Sequence, residues 1–173
     1  MSKEIEQKMI LDVTCGMRGI WFQKNEPHTI YCDRRKEHYE SNYGANKAHR
    51  IIDVDPDIVC DFTDLPFKDG MFNLVVFDPP HVMNLSHESW VCKMYETLDQ
   101  DWPKLIRDGF RECMRVLKVG GVLVFKWADT SIPTRKVIEA IGQEPLFGHR
   151  SGKKSNTHWM CFMKFEDEEN ERD

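Results

Sequence analysis

The tetrapeptide Asp78-Pro79-Pro80-His81 brings together the residues of this chain best suited to chemistry. It follows the apolar run Phe72-Asn73-Leu74-Val75-Val76-Phe77, which reads as a fully buried strand. Two consecutive prolines stop that strand, because each lacks a backbone N–H and holds φ at about −65°. Asp78 and His81 are therefore expected on a stiff turn at the carboxyl end of a strand. In open α/β sheets that is the end that receives ligands. A fixed carboxylate beside a flat ring suits the gripping and stacking of a planar group that bears an amine. The same four residues also read as a plain strand terminator, with Asp78 capping its own turn.

The elements around this turn alternate. Short strands are expected at Met9–Val13, Thr29–Asp33 and Ile58–Phe62, ahead of the one that ends at Asp78. Gly120-Gly121 reads as a turn feeding a fifth strand, Val122–Trp127. Leu105, Ile106, Phe110, Cys113, Met114 and Leu117 recur at three- and four-residue steps and predict an amphipathic helix from Trp102 to Leu117. A second helix is expected from Pro133 to Gly142, then strands around Leu146-Phe147 and from His158 to Phe165. The connection between those last two is too short for a crossover helix, so they are expected to run antiparallel. The expected fold is α/β, a mostly parallel seven-stranded sheet with an antiparallel C-terminal hairpin.

Acids stand at successive strand ends. The first strand runs into Asp12-Val13-Thr14-Cys15-Gly16-Met17-Arg18-Gly19, where glycine lets a ligand approach the backbone closely. Asp33 closes the second strand, where an acid suits ribose hydroxyls. Asp61-Phe62 closes the third and offers a carboxylate and a ring face to an adenine. Any one of these also reads as turn chemistry. Their succession at four strand ends points to a nucleoside-bearing ligand.

From Met9 to Phe165 the chain resembles the class I S-adenosylmethionine (SAM)-dependent methyltransferases, whose sheet is Rossmann-like. Asp78-Pro79-Pro80-His81 is similar to the D/N/S-P-P-aromatic motif of the amino-methyltransferases in that family, which modify exocyclic nitrogens of bases and, in some branches, protein side-chain amides. The resemblance implies SAM as cofactor, with the methionine portion held by Asp12 and the loop Thr14-Cys15-Gly16, the ribose by Asp33 and the adenine by Asp61 and Phe62. It further implies that Asp78 and the Pro79 carbonyl accept the hydrogens of the acceptor amine, with Pro80 stiffening the turn and His81 stacking on the ring. Thr14 and Arg18 stand where the family's G-x-G-x-G loop has its first and third glycines. Arg18 either pairs with the methionine carboxylate or faces solvent. His81 replaces the usual Tyr, Phe or Trp; neutral imidazole still stacks, and it titrates near neutrality.

The expected activity is methyl transfer to an exocyclic amine, of the N6-adenine type on RNA or DNA. A small-molecule methyltransferase and a non-catalytic subunit that binds RNA or protein are the alternatives. A nicotinamide-dependent oxidoreductase fits poorly, since the loop lacks G-x-G-x-x-G. Six cysteines without a CxxC pair argue against a zinc site or disulfide framework, and no metal is expected. The net charge is −5, but 166–173 carries six carboxylates against Arg172, leaving the body neutral by count. That stretch is expected as an acidic disordered tail to a single domain, 1–165. With no signal peptide or long apolar segment, the protein is expected to be soluble and cytoplasmic, with no membrane contact. The 82–100 segment is long for a strand-to-helix connection and reads either as a lid or as a short helix packing Trp90 and Tyr95 on the core. The last hairpin carries Arg150, Lys153 and Lys154 and reads as a phosphate clamp or as a solvated tip. A partner protein is a further route to target recognition.

Overall fold

Burial marks out the central strands of the chain. Every residue of Thr29–Asp33 (β2) is buried, and Leu11 in Ile10–Asp12 (β1) and Val75 and Phe77 in Phe72–Phe77 (β6) are wholly inaccessible. The computed structural model describes residues 8–43, 48–150 and 156–166. The remaining elements are β3 (Glu37–Tyr43), β4 (Ala48–Val54), β5 (Ile58–Val59), α1 (Trp90–Tyr95), α2 (Trp102–Val116), β7 (Leu117–Ala128), α3 (Thr134–Ile141), β8 (Phe147–Arg150) and β9 (Thr157–Met163). Seven strands form one sheet in the order β5-β2-β1-β6-β7-β9-β8. All neighbouring pairs are parallel except those that β9 makes with β7 and β8. The expected seven-stranded sheet and its C-terminal antiparallel hairpin are present.

The core lies on one face of this sheet. Leu123, Phe125 and Trp127 alternate along β7 at 0% exposure and meet Met160 and Phe162 of β9. Phe77 stacks on Phe125 at 5.0 Å, and Phe110 of α2 meets Phe162 edge-on at 5.0 Å. Helices α2 and α3 pack on each other and close this side. The alternate residues Val122, Val124 and Lys126 are half-buried on the opposite face. Within the core, the Trp127 indole N–H donates to the Ile132 carbonyl at 2.9 Å, so its one polar atom is satisfied.

Strand–helix alternation holds only in the second half of the chain. The β1–β2 connection, 13–28, contains no helix, because Gly16, Gly19 and Pro27 break it. Between β2 and β5 stands the antiparallel hairpin of β3 and β4, which the sequence reading did not anticipate. It is a polar stretch, in which Ile52 and Val54 are buried while His38 pairs with Asp53 and Glu40. No helix occupies 60–71 either. Arg115 of α2 holds that loop by donating to the carbonyls of Leu65 and Phe67 at 3.0 and 2.8 Å, while Glu112 accepts from the Leu65 N–H at 2.9 Å.

Gly120-Gly121 is not a turn ahead of a strand. Strand β7 starts at Leu117 and runs through both glycines, with an irregular register against β6. Gly120 takes φ of 78°, and a Cβ on Gly121 would meet the Lys118 carbonyl at 2.8 Å. The expected third strand, Ile58–Phe62, shortens to Ile58–Val59, because Asp61 turns the chain by accepting from the Thr63 N–H at 2.8 Å. Among the described residues no helix is long and apolar enough to cross a membrane. All but Glu166 of the expected tail, and Lys153 and Lys154, fall outside the described residues.

Helix α2 approaches the sheet so closely at Gly109 that an added Cβ would overlap the Phe62 ring, with Cε2 at 2.7 Å, and lie 3.0 Å from Phe77. Gly109→Ala gains about 1 kcal/mol of helix propensity. Overpacking costs about 1–3 kcal/mol. The second effect prevails, and thermal denaturation should show Tm lowered by about 2–4 °C for a net loss near 1 kcal/mol.

Candidate active site

The ends of β1, β2 and β6 border one cavity, together with the loop after β5. Asp12, Thr14, Cys15, Gly16, Asp33, Phe62 and the whole of Asp78-Pro79-Pro80-His81 line it, so ten of the residues singled out from the sequence and resemblance, His81 counted once, with Pro79 and Pro80 included, meet in one place or beside it. Asp61 does not line it. Its carboxylate accepts from the Thr63 N–H and hydroxyl at 2.8 and 2.7 Å and so serves its own turn. Arg150 ends β8 opposite His158, which pairs with Trp127, so β8 finishes at the same end of the sheet as Asp78.

Asp12 is 1% exposed. It accepts from the Trp21 indole N–H at 2.7 Å and from the Thr14 N–H at 3.2 Å. Burial pushes its carboxyl from 3.8 up to about 7, against the pull of those two donors. Thr14 accounts for its place in the glycine loop: its hydroxyl accepts from the Asp78 N–H at 2.8 Å and ties the ends of β1 and β6 together. Arg18 takes neither of its two expected positions. It lies 3.9 Å over the Tyr31 ring and donates to the Lys24 and Asp55 carbonyls at 2.9 and 2.8 Å, which pins the loop in place of a helix. Gly16 has φ of 47°, and a Cβ there would meet nothing within 4 Å, so the space beside its backbone is open. Burial pushes the Cys15 thiol up, which makes it a poor nucleophile.

Asp33 accepts from the Gly16 N–H at 3.0 Å through one oxygen and from the Arg35 N–H and Nε at 3.0 and 3.2 Å through the other. Arg35 also donates to the Lys93 carbonyl at 3.0 Å, and Arg34 pairs with Glu96 at 2.6 Å. These contacts draw the 82–100 segment across the cavity. That segment holds a short helix, α1, whose Cys92 is buried, whereas Tyr95 is 50% exposed and lines the cavity rather than packing on the core. Its base is closed where the Leu98 N–H donates to the Val82 carbonyl at 2.8 Å.

Asp78 does not cap its own turn. Its Oδ2 accepts from Lys126 Nζ at 2.6 Å, with both side chains 20% exposed. His81 lies edge-on to Trp127 at 6.2 Å and tilted to Tyr95 at 6.4 Å. Burial lowers its pKa against the opposing pull of Asp78 and the Pro79 carbonyl, which favours the neutral ring suited to stacking. Arg35, Glu96 and Lys126 carried no expectation. Lys126 had a signal: a cation inside the otherwise apolar run Val122–Trp127. Arg35 and Glu96 had none, since their partnership joins residues far apart in the chain.

No family model and no curated protein matches the chain by sequence. Solved structures match by shape. An rRNA methylase from Streptococcus thermophilus superposes with TM-score 0.53 at 10% identity, over 92% of this chain and 88% of that one. The N-methyltransferase NodS from Bradyrhizobium japonicum gives 0.51 at 14% identity, over 92% and 86%. A SAM-dependent methyltransferase from Methanosarcina mazei gives 0.51 at 15% identity, over 92% and 93%. The fold is that of the class I methyltransferases. Within this methyltransferase fold, loops and a polar hairpin join the strands of the first half, and the cavity lies at the carboxyl ends of the parallel strands.

The raised Asp12 pKa has a thermodynamic sign. Between 3.8 and about 7 the folded protein holds a proton at Asp12 that the unfolded chain has released, so this group's contribution to stability falls as pH rises through that window. Asp12→Asn removes the titration. Urea unfolding of wild type and variant across the window should show the wild type losing stability relative to the variant as pH rises.

Proposed function

We propose that this chain is a SAM-dependent methyltransferase that acts on an exocyclic amino nitrogen, of the N6-adenine type, in a nucleic acid. The observation that carries the reading is the single cavity bordered both by Asp12, Gly16, Asp33 and Phe62 and by Asp78-Pro79-Pro80-His81. The cofactor side fits its group in kind. Open space adjoins the Gly16 backbone, buried acids end β1 and β2, and Phe62 offers a ring to a purine face. In this assignment Asp12 and the 14–16 loop serve the methionine portion, Asp33 the ribose and Phe62 the adenine. Bound there, SAM supplies an electrophilic methyl group on a sulfonium.

The chain's own residues do the positioning. An aromatic amine is a weak nucleophile because its lone pair is delocalised into the ring. Asp78 and the Pro79 carbonyl accept its two hydrogens and favour a pyramidal nitrogen whose lone pair is free to attack. His81 holds the ring by stacking as a neutral imidazole, a contact worth about 1–3 kcal/mol for a base. The lone pair would form the new N–C bond to the methyl group that bound SAM would supply, its S–C pair staying with sulfur, and one amine proton would pass to solvent. Alignment and exclusion of water supply the rate. A duplex base must leave its stack to enter, whereas a single-stranded base need not. Arg150, Lys153 and Lys154 are proposed to meet substrate phosphates, because β8 finishes and β9 starts at the end of the sheet that carries Asp78.

Calorimetry with SAM and a methyl-transfer assay on adenine-containing oligonucleotides test this reading. Asp33→Ala should weaken SAM binding by roughly 1–3 kcal/mol. Asp78→Ala should abolish transfer and leave SAM affinity nearly intact. Absence of SAM binding by the wild type sinks the enzyme reading, and equal loss of both properties in Asp78→Ala assigns that residue to the cofactor instead.

The cavity measures ≈ 240 Å³, below the range of about 300–1,000 Å³ usual for ligand sites. The α1 segment, which borders it through Met94, Tyr95 and Glu96, is proposed to yield as a nucleoside enters. Hydrogen exchange in 90–96 should slow when SAM and an oligonucleotide are added together. Unchanged exchange there counts against a lid.

A further inference from the structure

The cavity is richer in charge than the transfer of a methyl group to a neutral amine requires, and the charges cancel in pairs. Asp33 is matched by Arg35 at 3.2 Å, Glu96 by Arg34 at 2.6 Å and Asp78 by Lys126 at 2.6 Å. The third pair lies at the reacting turn. Phe77 pairs with Phe125, so Asp78, just past the end of β6, lies beside Lys126 of the neighbouring parallel strand β7. Lys126 Nζ takes Oδ2 of Asp78, and among the described residues Oδ1 accepts no hydrogen bond. Lys126 is held in its turn, with its ammonium 5.9 Å from the ring centre of Trp159, its cross-strand partner in β9.

We propose that Lys126 is a positioning residue for the acceptor: it fixes the Asp78 carboxylate by Oδ2, presents Oδ1 to an incoming N–H, and restricts the site to uncharged amines. This rests on the amine-transfer reading above and narrows it. An alkylammonium entering here finds its carboxylate already neutralised and a second cation beside it, and like charges at close range are costly. It also has no lone pair until it loses a proton. An exocyclic base amine or a side-chain amide is neutral, needs one strong acceptor for each N–H, and finds them in Oδ1 and the Pro79 carbonyl. The ammonium has a second effect. His81 stands next to this pair, facing Asp78, the Pro79 carbonyl, Tyr95 and Lys126, and the Lys126 charge disfavours its protonation. It adds to burial, the larger cause, in favouring the neutral ring.

The test compares Lys126→Met, which keeps the length of the side chain without its charge, with Lys126→Arg. In the cofactor-free protein, the His81 imidazole is titrated by NMR. Its pKa should rise in Lys126→Met, where the repelling cation is gone and Asp78 is left unpaired, and should stay close to wild type in Lys126→Arg. In the transfer assay at saturating SAM, kcat on an adenine-containing oligonucleotide should fall about 100-fold in Lys126→Met, the scale of a misplaced reacting group, with SAM affinity unchanged and substantial recovery in Lys126→Arg. The rate on hexylamine relative to the oligonucleotide should rise at least about tenfold in Lys126→Met. An unmoved His81 titration, or full activity in Lys126→Met, overturns the assignment of Lys126 alone. A wild type that binds SAM but methylates neither acceptor overturns the amine reading, and this assignment with it.

Discussion

A row of wholly buried side chains, Leu11, Val75, Leu123 and Phe162, runs across β1, β6, β7 and β9, and its register determines where the reactive groups lie. Each such side chain contributes about 1.5–3 kcal/mol by leaving water. A slip of one residue in any of the four strands would turn its core face outward. The same register brings Asp12 beside Val76 and Phe77 beside Phe125, so β1 and β6 finish nearly in step while β7 runs on to Ala128. Thr14 then meets the Asp78 N–H, and Lys126 meets the Asp78 carboxylate. The prolines at 79 and 80 stop β6 at that point. Hydrophobic packing on one side of the sheet thus aligns polar groups at its end, without any of them contributing to the core.

The alternation along β7 carries both duties. Leu123, Phe125 and Trp127 face the helices, and Lys126, between two aromatic core residues, faces the cavity. Asp78 is consequently braced from both neighbours, by a hydroxyl on one side and an ammonium on the other. Pairing across the cavity also explains how several carboxylates share a small space. Each of Asp33, Glu96 and Asp78 has a cation within hydrogen-bonding distance, whereas Asp12 has only neutral donors, and burial opposes its ionisation.

Much of this was legible in the residues. The bounds of β2 and β6 follow from their apolar runs, and α2 from its three- and four-residue spacing, because in those segments burial alone selects the structure. Asp78-Pro79-Pro80-His81 was recognisable as a rigid turn because proline acts locally. The β3–β4 hairpin escaped notice because its strands are mostly polar and its stabilising pairs, such as His38 with Asp53, form only after the chain has folded back. Arg18 invited a ligand-binding role by its position in a glycine loop, but the Tyr31 ring and the Asp55 carbonyl that hold it are remote in sequence. Asp61 illustrates the opposite limit. Its place at a strand end matched the pattern, but a Thr two residues on was enough to turn its carboxylate away from the cavity.

The polar hairpin and helix-free loops of the first half divide the site by the kind of force that holds it. The side proposed for the acceptor rests on Phe77 stacked on Phe125, with Trp127 edge-on to Phe125, beneath α2 and α3. The side assigned to the nucleoside is fastened largely by charge: Arg18 with Asp57, Lys36 with Asp55, Arg35 with Asp33 and Arg34 with Glu96. Partly exposed ion pairs weaken as the Debye length shrinks, from about 10 Å at 0.1 M salt to 3 Å at 1 M, while apolar burial does not. Local opening free energies should therefore differ between the halves, and differ more as salt is added. Ionic strength should thus loosen the side proposed for the nucleoside and leave the side proposed for the acceptor in place.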